Sequence, residues 1–404
     1  MPAASRRRFF ALSAAVAGGA LLAGLPRADR QRPAGGSPLY LPLIAHSGPG
    51  TWQVGPTRLL KTPSAAAAAA KDGDTVEIDA GLYSGDVATW TQNNLTLRGV
   101  GGRAHLDANG QSAGGKAIWV IHGDNTTVEN IEFSGATVPD QNGAGIRQEG
   151  AGLTVRGCYF HDNEEGILAG DNAASEILIE YTEFARNGFG DGYSHNLYIN
   201  HVARFTLQYC YSHHARVGHL LKSRALENHI LYNRIMDEAD GTSSYSIDLP
   251  NGGLSVVIGN LVQQGPLTEN STLITYAEEG ASNPAQALWL VNNTLVNDRP
   301  AGGTFIRITG TPAGAAINNL CVGAGTTLSG ALAASHSLTL PGATLVNQAG
   351  YDYHLTAGSP AINAGIDPGA ANGQSLAPVW EYVHPLSCVA RAVHGIMDVG
   401  AYEY

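Results

Sequence analysis

The sequence has 404 residues, of which 44% are hydrophobic and only 14% charged, and it contains 51 glycines. This composition is too apolar for a disordered chain and too rich in glycine for a helical one. The net charge of −11, with no run of Lys or Arg after the N-terminal segment, argues against nucleic acid as a partner. The four cysteines, Cys158, Cys210, Cys321 and Cys388, form no C-x-x-C motif and are expected to be buried thiols.

Residues 1–30 are predicted to be an export signal peptide. The stretch Ser5–Phe10, rich in arginine, precedes an apolar run over Ala11–Leu25, which is the layout of signal peptides. An arginine pair followed by phenylalanine is typical of a twin-arginine signal, although a general secretory signal or an uncleaved anchor is laid out similarly. Residues 31–54 are predicted to be a linker, and no later segment has the apolar length of a membrane span. We therefore expect a secreted, periplasmic or cell-surface protein with no integral membrane segment after the signal.

Short apolar segments with a central Gly, Asn or Tyr recur along the rest of the chain. Their spacing averages about 27 residues, which lies in the range of solenoid proteins. Apolar and polar residues alternate within each segment, and this period predicts a strand with one buried face. The aligned central residues are Gly99, Asn130, Gly157, Tyr181, Tyr209, Asn233, Asn260, Asn293 and Asn319.

The four asparagines at the end of this column predict a ladder inside one turn of successive coils. We expect their side-chain amides to hydrogen bond to one another. We also expect these asparagines to adopt the left-handed backbone conformation that a tight corner requires. A second column recurs once per repeat, at Gly145-Ile146, Gly166-Ile167, Asn196-Leu197, His219-Leu220, Ser246-Ile247, Thr272-Leu273 and Thr304-Phe305. Two columns predict at least two strands in each coil, and hence an all-β chain wound into a parallel β-helix.

Two terminal segments resemble those of right-handed parallel β-helix proteins, the superfamily of pectate-lyase-like folds. Ser64–Ala66, leading to Lys71–Val76, looks like the opening of that superfamily, in which a short helix caps the solenoid. Leu355–Gly365 and Asp398–Tyr404 look like its closing segment. The resemblance covers residues 55–404 and implies a single right-handed parallel β-helix domain with a short N-terminal helical cap. It implies little about activity, because this fold supports many chemistries.

Ionisable residues are concentrated in residues 191–280, which are expected to span four successive coils. Neighbouring coils lie about 4.8 Å apart, so residues in one column can touch. A patch of this kind on one face of a solenoid is a candidate functional site. The predicted site residues are His195, Tyr198, His219, Lys222, Arg224, Asp248, Glu278 and Glu279.

These residue types fit β-elimination in a polysaccharide that contains uronic acid. In that reaction a cation or an arginine neutralises the uronate carboxylate, and a Lys, His or Tyr removes the C5 proton. Lys222, Arg224, His219 and Tyr198 supply these groups and are the candidate catalytic residues. The other four, His195, Asp248, Glu278 and Glu279, are candidates for binding the substrate.

The stretch Leu221–Ser223 followed by Asn228 is similar to the catalytic Lys-Ser…Asn strand of the chondroitinase B and alginate lyase family. The similarity is short. It implies that Lys222 is the base and that Arg224 is an acid or a clamp for the carboxylate.

Other functions stay open at this point. A glycoside hydrolase would use paired carboxylates, here Asp248 with Glu278 or Glu279. His195, His219 and Asp248 could hold a cation, and Ca²⁺ is the candidate cofactor, but their spacing is not diagnostic of any metal. A glycan-binding or surface protein without catalysis would not need a concentrated patch of ionisable residues.

Overall fold

The computed structural model describes residues 48–404, so the predicted signal peptide and most of the predicted linker lie outside the described residues. Within this range, ten parallel strands form one sheet, the ten-stranded sheet, whose neighbouring members come from successive coils. These strands are Ala88–Trp90, Ala117–Ile121, Ala144–Gln148, Glu165–Ala169, Leu197–Ile199, Lys222–Ser223, Ile247–Leu249, Thr272–Tyr276, Thr304–Ile308 and Thr326–Ser329.

A second sheet, the corner sheet, contains 21 of the described strands, and most coils contribute two strands to it on either side of a sharp corner. Its first strand, Thr51–Val54, lies within the predicted linker 31–54 and pairs in parallel with the second strand. The strands are Thr51–Val54, Thr75–Ser84, Thr96–Asp107, Thr126–Glu129, Ile131–Ser134, Leu153–Arg156, Tyr159–His161, Asn172–Glu180, Glu183–Ala185, Val202–Gln208, Tyr211–His213, Glu227–Leu231, Arg234–Met236, Leu254–Ile258, Leu261–Gln264, Ala287–Val291, Thr294–Asn297, Ala313–Ile317, Leu320–Gly323, Ala333–Ser335 and Leu338–Leu340.

The predicted asparagine ladder is present at the corner. Asn233 donates to Asn260, Asn260 to Asn293 and Asn293 to Asn319, each from Nδ2 to Oδ1 at 2.9 Å. The left-handed backbone belongs to the residue before each ladder asparagine, so the expectation that the ladder residues adopt it was wrong. These left-handed residues are Tyr232, Gly259, Asn292 and Asn318. The chain turns at the left-handed residue, and the next side chain then points inward.

Earlier coils use the same corner with other inward residues. Tyr181 and Tyr209 have the left-handed backbone there, and Thr182 and Cys210 follow them as the buried residues. The N–H of Cys210 donates to the Oδ1 of Asn233 at 2.9 Å, which extends the ladder by one coil toward the N-terminus. The predicted column therefore combined two different positions. In the early coils it contains the left-handed corner residues, and in the late coils it contains the inward residues that follow them. Its register thus shifts by one residue along the chain.

The interior is a continuous apolar core supplied by the inward residues of both sheets. Phe133, Phe160 and Phe184 stack from coil to coil with ring centroids 4.8 and 5.1 Å apart. This spacing matches the distance of about 4.8 Å between neighbouring strands. Burial of each such side chain contributes about 1.5–3 kcal/mol.

The predicted N-terminal cap is the helix Pro63–Ala69. The hydroxyl of Thr62 accepts from the N–H of Ala65 at 3.3 Å, and Pro63 begins the helix, where its missing N–H loses no bond. Ala66 and Ala67 pack on the core of the first coils, so the helix covers the apolar end of the solenoid. No helix within residues 48–404 is long and apolar enough to cross a membrane.

Residues 342–404 run along the outside of the corner sheet. Leu376 packs in one cluster with Tyr209 and Tyr232, and the N–H of Val379 donates to the hydroxyl of Tyr232 at 3.1 Å. The segment contains two short 3₁₀ helices and three antiparallel pairs of strands. These are Gly342–Thr344 and Gln348–Gly350, and Leu345–Asn347 with Asp352–Leu355, Ala370–Ala371 with Gln374–Ser375, and Trp380–Val383 with Ser387–Ala390.

Candidate active site

One column of outward residues on the ten-stranded sheet carries the predicted site. Strand pairing aligns Tyr198 with Lys222, Lys222 with Asp248, and Asp248 with Thr275. Tyr198 lies between the buried residues Leu197 and Ile199, and the strand alternation therefore turns its side chain to the outer face. Four successive coils thus place a phenol, an ammonium, a carboxylate and a hydroxyl in one line.

The carboxylate of Glu279 bridges two cations of this site. Its Oε1 lies 2.9 Å from Lys222 Nζ, and its Oε2 lies 2.6 Å from a terminal nitrogen of Arg224. Burial acts to raise the pKa of Glu279, but the hydrogen bonds from Lys222 and Arg224 outweigh burial and lower that pKa. The Glu279 side chain is 47% exposed, whereas Lys222 is 11% and Arg224 17% exposed. The two cations therefore hold a carboxylate that approaches them from the solvent side.

Arg224 is fixed on every side of its guanidinium group. Its Nε donates to the Tyr198 hydroxyl at 3.0 Å, and its Nη1 donates to Asn251 Oδ1 at 2.5 Å. Burial acts to lower the pKa of Arg224, but the hydrogen bonds to Glu279 and Tyr198 raise it overall. Both the guanidinium group and Lys222 Nζ lie within 6 Å of the Tyr198 ring centre, at 5.8 and 5.9 Å. Both cations therefore lie within cation–π distance of the same ring.

Asp248 lies beneath Lys222 and is only 2% exposed. Its Oδ1 accepts from the Thr275 hydroxyl at 2.7 Å, and its Oδ2 lies 3.5 Å from Lys222 Nζ. The same Oδ2 is 3.4 Å from His219 Nε2. Burial raises the pKa of Asp248, although Lys222 and Thr275 act against the increase. Asp248 thus fixes Lys222 from the protein side, opposite Glu279.

His195 and His219 stack in neighbouring coils, with ring centroids 4.5 Å apart. The Nδ1 of His195 accepts from the His219 N–H at 3.0 Å, and the Nδ1 of His219 accepts from the Tyr245 N–H at 3.3 Å. Burial, reinforced by Lys222, lowers the pKa of His219 to about 3, and burial with the neighbouring His219 lowers the pKa of His195 well below its usual range. Both rings are therefore neutral near pH 7 and form the wall of the site. In the described part of the chain, these two rings and Asp248 do not form a group of ligand atoms close enough for one metal ion.

Glu278 is the predicted site residue that the structure does not bring to this cluster. Its carboxylate lies 3.4 Å from both Arg307 Nη1 and the Thr309 hydroxyl, which belong to the next coil. The residues of the Lys-Ser…Asn motif do not lie together at the site. Ser223 and Asn228 are fully buried inside the solenoid, where the Ser223 hydroxyl donates to Asn228 Oδ1 at 2.6 Å. Of that motif, Lys222 alone faces outward.

The sequence interpretation missed Glu165, which lies directly beside the histidine pair. It is almost fully buried, and its Oε2 accepts from the His195 N–H at 3.0 Å. Burial raises the pKa of Glu165 well above its ordinary value. The repeat itself contained the signal, because Glu165 precedes Gly166 as His195 precedes Asn196 in the second column.

A family model and one solved structure agree with this architecture. A family model described as "Right handed beta helix region" matches residues 80–266. The solved structure of pectate lyase Pel9A superposes with a TM-score of 0.62 at 15% identity, covering 89% of this chain and 97% of that one. An alginate lyase from Paenibacillus sp. strain FPU-7 aligns at a TM-score of 0.42 and 15% identity, covering 71% of this chain and 99% of that one. Geobacillus virus E2 ORF18 also aligns at 0.42, with 14% identity over 69% of this chain and 56% of that one. No curated protein matches the sequence.

Proposed function

We propose that this chain, a right-handed parallel β-helix protein with a pectate-lyase-like fold, is an exported lyase that cleaves a polysaccharide containing uronic acid by β-elimination. The observation that carries the proposal is the carboxylate of Glu279, held between Lys222 and Arg224 at 2.9 and 2.6 Å. We take this carboxylate as the stand-in for the carboxylate of a uronate substrate.

The geometry favours replacement of the Glu279 carboxylate by the carboxylate of a uronate substrate. Glu279 is the most exposed member of the cluster and is followed by Gly280, whose φ of 108° lies in the left-handed region. Lys222 and Arg224, in contrast, are fixed by Asp248, Tyr198 and Asn251. A change in the Glu279 side chain therefore frees two prearranged cations without moving them, and preorganised cations bind an anion at least cost.

The same groups supply the chemistry of elimination. Arg224 pairs with the uronate carboxylate and makes the C5 hydrogen more acidic. Lys222 Nζ, once released from Glu279 and in its neutral form, removes that hydrogen as the general base. The C5 electron pair forms the C4–C5 double bond, the C4–O bond breaks, and the leaving oxygen takes a proton. The Tyr198 hydroxyl, 3.0 Å from Arg224 Nε, is the neighbouring group that can give this proton.

Further cations lie on the same face of the ten-stranded sheet. Strand pairing places Arg147 three coils to one side of Lys222 and Arg307 three coils to the other. Three coils correspond to roughly 14 Å. Arg147 pairs with Glu149 at 2.8 Å and Arg307 with Glu278 at 3.4 Å, as Lys222 pairs with Glu279. An acidic polymer lying along this face would therefore meet cations on both sides of the central site.

The test is incubation of the protein with a panel of uronic-acid polymers while the absorbance of the unsaturated uronide product is followed. We expect at least one polymer to be cleaved. Lys222→Ala should abolish the absorbance change, and Tyr198→Phe should retain part of the rate if Lys222 is the base. The matched control is Lys61→Ala, since within residues 48–404 Lys61 Nζ hydrogen bonds only to the carbonyl of Pro56. Full activity of Lys222→Ala would overturn the proposal.

A glycoside hydrolase is the second candidate, and one observation favours it. Burial raises the pKa of Asp248, whereas Lys222 and Arg224 lower that of Glu279 against the effect of its burial. In glycoside hydrolases, the carboxyl group with the raised pKa serves as the acid and the one with the lowered pKa as the base or nucleophile. Asp248 and Glu279 would take these two roles here. If Asp248→Asn and Glu279→Gln lose all cleavage while Lys222→Ala retains it, hydrolysis is the better assignment.

Export through the twin-arginine route is the last part of the proposal. It is based on the arginine pair Arg6 and Arg7, which lies outside the described residues. Changing both to Lys should leave the precursor inside the cell. If the variant is exported as efficiently as the natural sequence, the route is the general secretory one.

A further inference from the structure

We propose that His105, Glu132 and His161 form a binding site for Zn²⁺ on the outer face of the corner sheet, separate from the Lys222 site. The three side chains come from successive coils. His105 pairs directly with Glu132, and His161 lies two residues after Tyr159, the partner of Glu132 in the next coil. Strand pairing alone thus gathers two imidazoles and one carboxylate on one patch.

The distances suit a tetrahedral ion. His105 Nδ1 lies 3.6 Å and His161 Nε2 3.1 Å from the same atom, Glu132 Oε1. All three ligand atoms lie within 4.8 Å of one another. Zinc bonds of about 2.0–2.2 Å in a tetrahedron place ligand atoms roughly 3.3–3.5 Å apart. Small side-chain movements therefore bring the three atoms to zinc distance.

The far side of each imidazole is held by a polar partner. His161 Nδ1 lies 2.8 Å from Asp162 Oδ2, and that carboxylate is also paired with Arg186 at 2.8 Å. A carboxylate bound to arginine can only accept, so Nδ1 of His161 donates to it, and Nε2 is the nitrogen that faces Glu132. His105 Nε2 similarly contacts the Ser134 hydroxyl at 2.7 Å, which leaves Nδ1 facing Glu132. Ligand histidines are commonly oriented in this way by a carboxylate or hydroxyl behind them.

The arrangement then directs two ring nitrogens at one carboxylate oxygen. A positive charge between these atoms, which protons on the nitrogens or one metal ion would supply, holds them together at 3.1–3.6 Å. One divalent cation satisfies all three at once. Two imidazoles and a carboxylate favour Zn²⁺ over Ca²⁺, which prefers oxygen ligands. The side chains are 16–30% exposed, so a fourth position is open to water.

The experiment titrates the full-length, chelator-treated protein with ZnCl₂ against a chromophoric competitor and records the melting temperature with and without Zn²⁺. We expect one Zn²⁺ per chain at this site and a higher melting temperature when it is bound. Glu132→Gln and His161→Ala should lose both effects. Asp162→Asn removes the charged group behind His161, together with its ion pairs to Arg186 and Arg216, and should weaken binding about 10- to 100-fold.

His354→Ala is the matched control, because His354 is also paired with a carboxylate, Asp352 at 2.6 Å, but away from the cluster. It should bind Zn²⁺ as the natural protein does. Far-UV circular dichroism of each variant establishes that the solenoid is folded. If the natural protein binds no Zn²⁺, or if folded Glu132→Gln binds it with unchanged affinity, the proposal is overturned and the cluster is a set of protonated ion pairs.

Discussion

The two polar clusters of this solenoid lie on different sheets but are built in the same way, with side chains from successive coils brought into contact by strand pairing. On the ten-stranded sheet, Lys222 has Glu279 on its solvent side and Asp248 on its protein side, so opposite charges compensate one another. On the corner sheet, His105 and His161 each direct a ring nitrogen at the Glu132 carboxylate. The first arrangement suits exchange of one anion for another, and the second suits capture of a cation. The stacking of coils explains why such clusters form, and the residue types explain what each can bind.

The largest expected effect separates the clusters by function. Lys222→Ala should reduce cleavage of the active polymer by about 10²–10⁴, the usual contribution of a general base. It should leave the affinity for Zn²⁺ unchanged. Glu132→Gln, in contrast, should lose Zn²⁺ binding and keep the rate of polymer cleavage. Steady-state kinetics and metal titration on both variants provide the measurement. Loss of both properties in either variant would show that the clusters are coupled, contrary to this account.

A smaller effect is expected where the polar groups are purely structural. Asn260→Ala removes an internal member of the asparagine ladder and leaves buried amide and carbonyl groups without partners. Each such group costs about 1–3 kcal/mol in the free energy of unfolding. Urea denaturation measures this, with the exposed Asn142→Ala as the control. Equal stability of the two variants would contradict a stabilising ladder.

Asp248→Asn tests the protein side of the Lys222 site. The amide can keep the contact with Thr275 but removes the negative charge 3.5 Å from Lys222 Nζ. We expect kcat/KM to fall about tenfold, which corresponds to about 1.4 kcal/mol. The melting temperature should change little, because Lys222 keeps its contact with Glu279. A large loss of stability with intact kinetics would assign Asp248 a structural role instead.

The pH dependence of stability gives the smallest effect. The pKa of His219 is about 3 in the folded chain, so the unfolded chain, with an ordinary value near 6.5, binds the proton more readily. Stability from this group is therefore complete above about pH 6.5 and declines as the pH falls toward 3, by up to about 1.4 kcal/mol per pH unit. His219→Gln should show a shallower decline in urea denaturation between pH 6.5 and 5. An unchanged slope would mean that His219 is not the group responsible.

The sequence predicted the fold better than it predicted the register. A recurring period and alternating residues were enough to identify a parallel β-helix with a helical cap, because burial of one strand face determines both patterns. The register was displaced by one residue in places. For example, Leu220 was aligned with Ile247, but the pairing of Lys222 with Asp248 places Leu221 there. Short strands and loops of variable length hide such a shift from the sequence.

The candidate site was predicted in part for the same reason. Tyr198, Lys222 and Asp248 lie in one strand column, so period alone could gather them. Glu278 and Glu279 are adjacent in a loop, and only the three-dimensional path of that loop sends one to Arg307 and the other to Lys222. The cluster of His105, Glu132 and His161 went unnoticed because the sequence interpretation singled out only the ionisable residues of 191–280.

The most direct test of the lyase assignment is whether the new chain ends formed by cleavage contain oxygen from the solvent. We would digest the active polymer in water enriched in heavy oxygen and examine the products by mass spectrometry. Elimination at the Lys222 site predicts unsaturated ends that carry no oxygen from the solvent. Saturated ends labelled by the solvent would contradict the lyase assignment and identify a hydrolase with paired carboxylates.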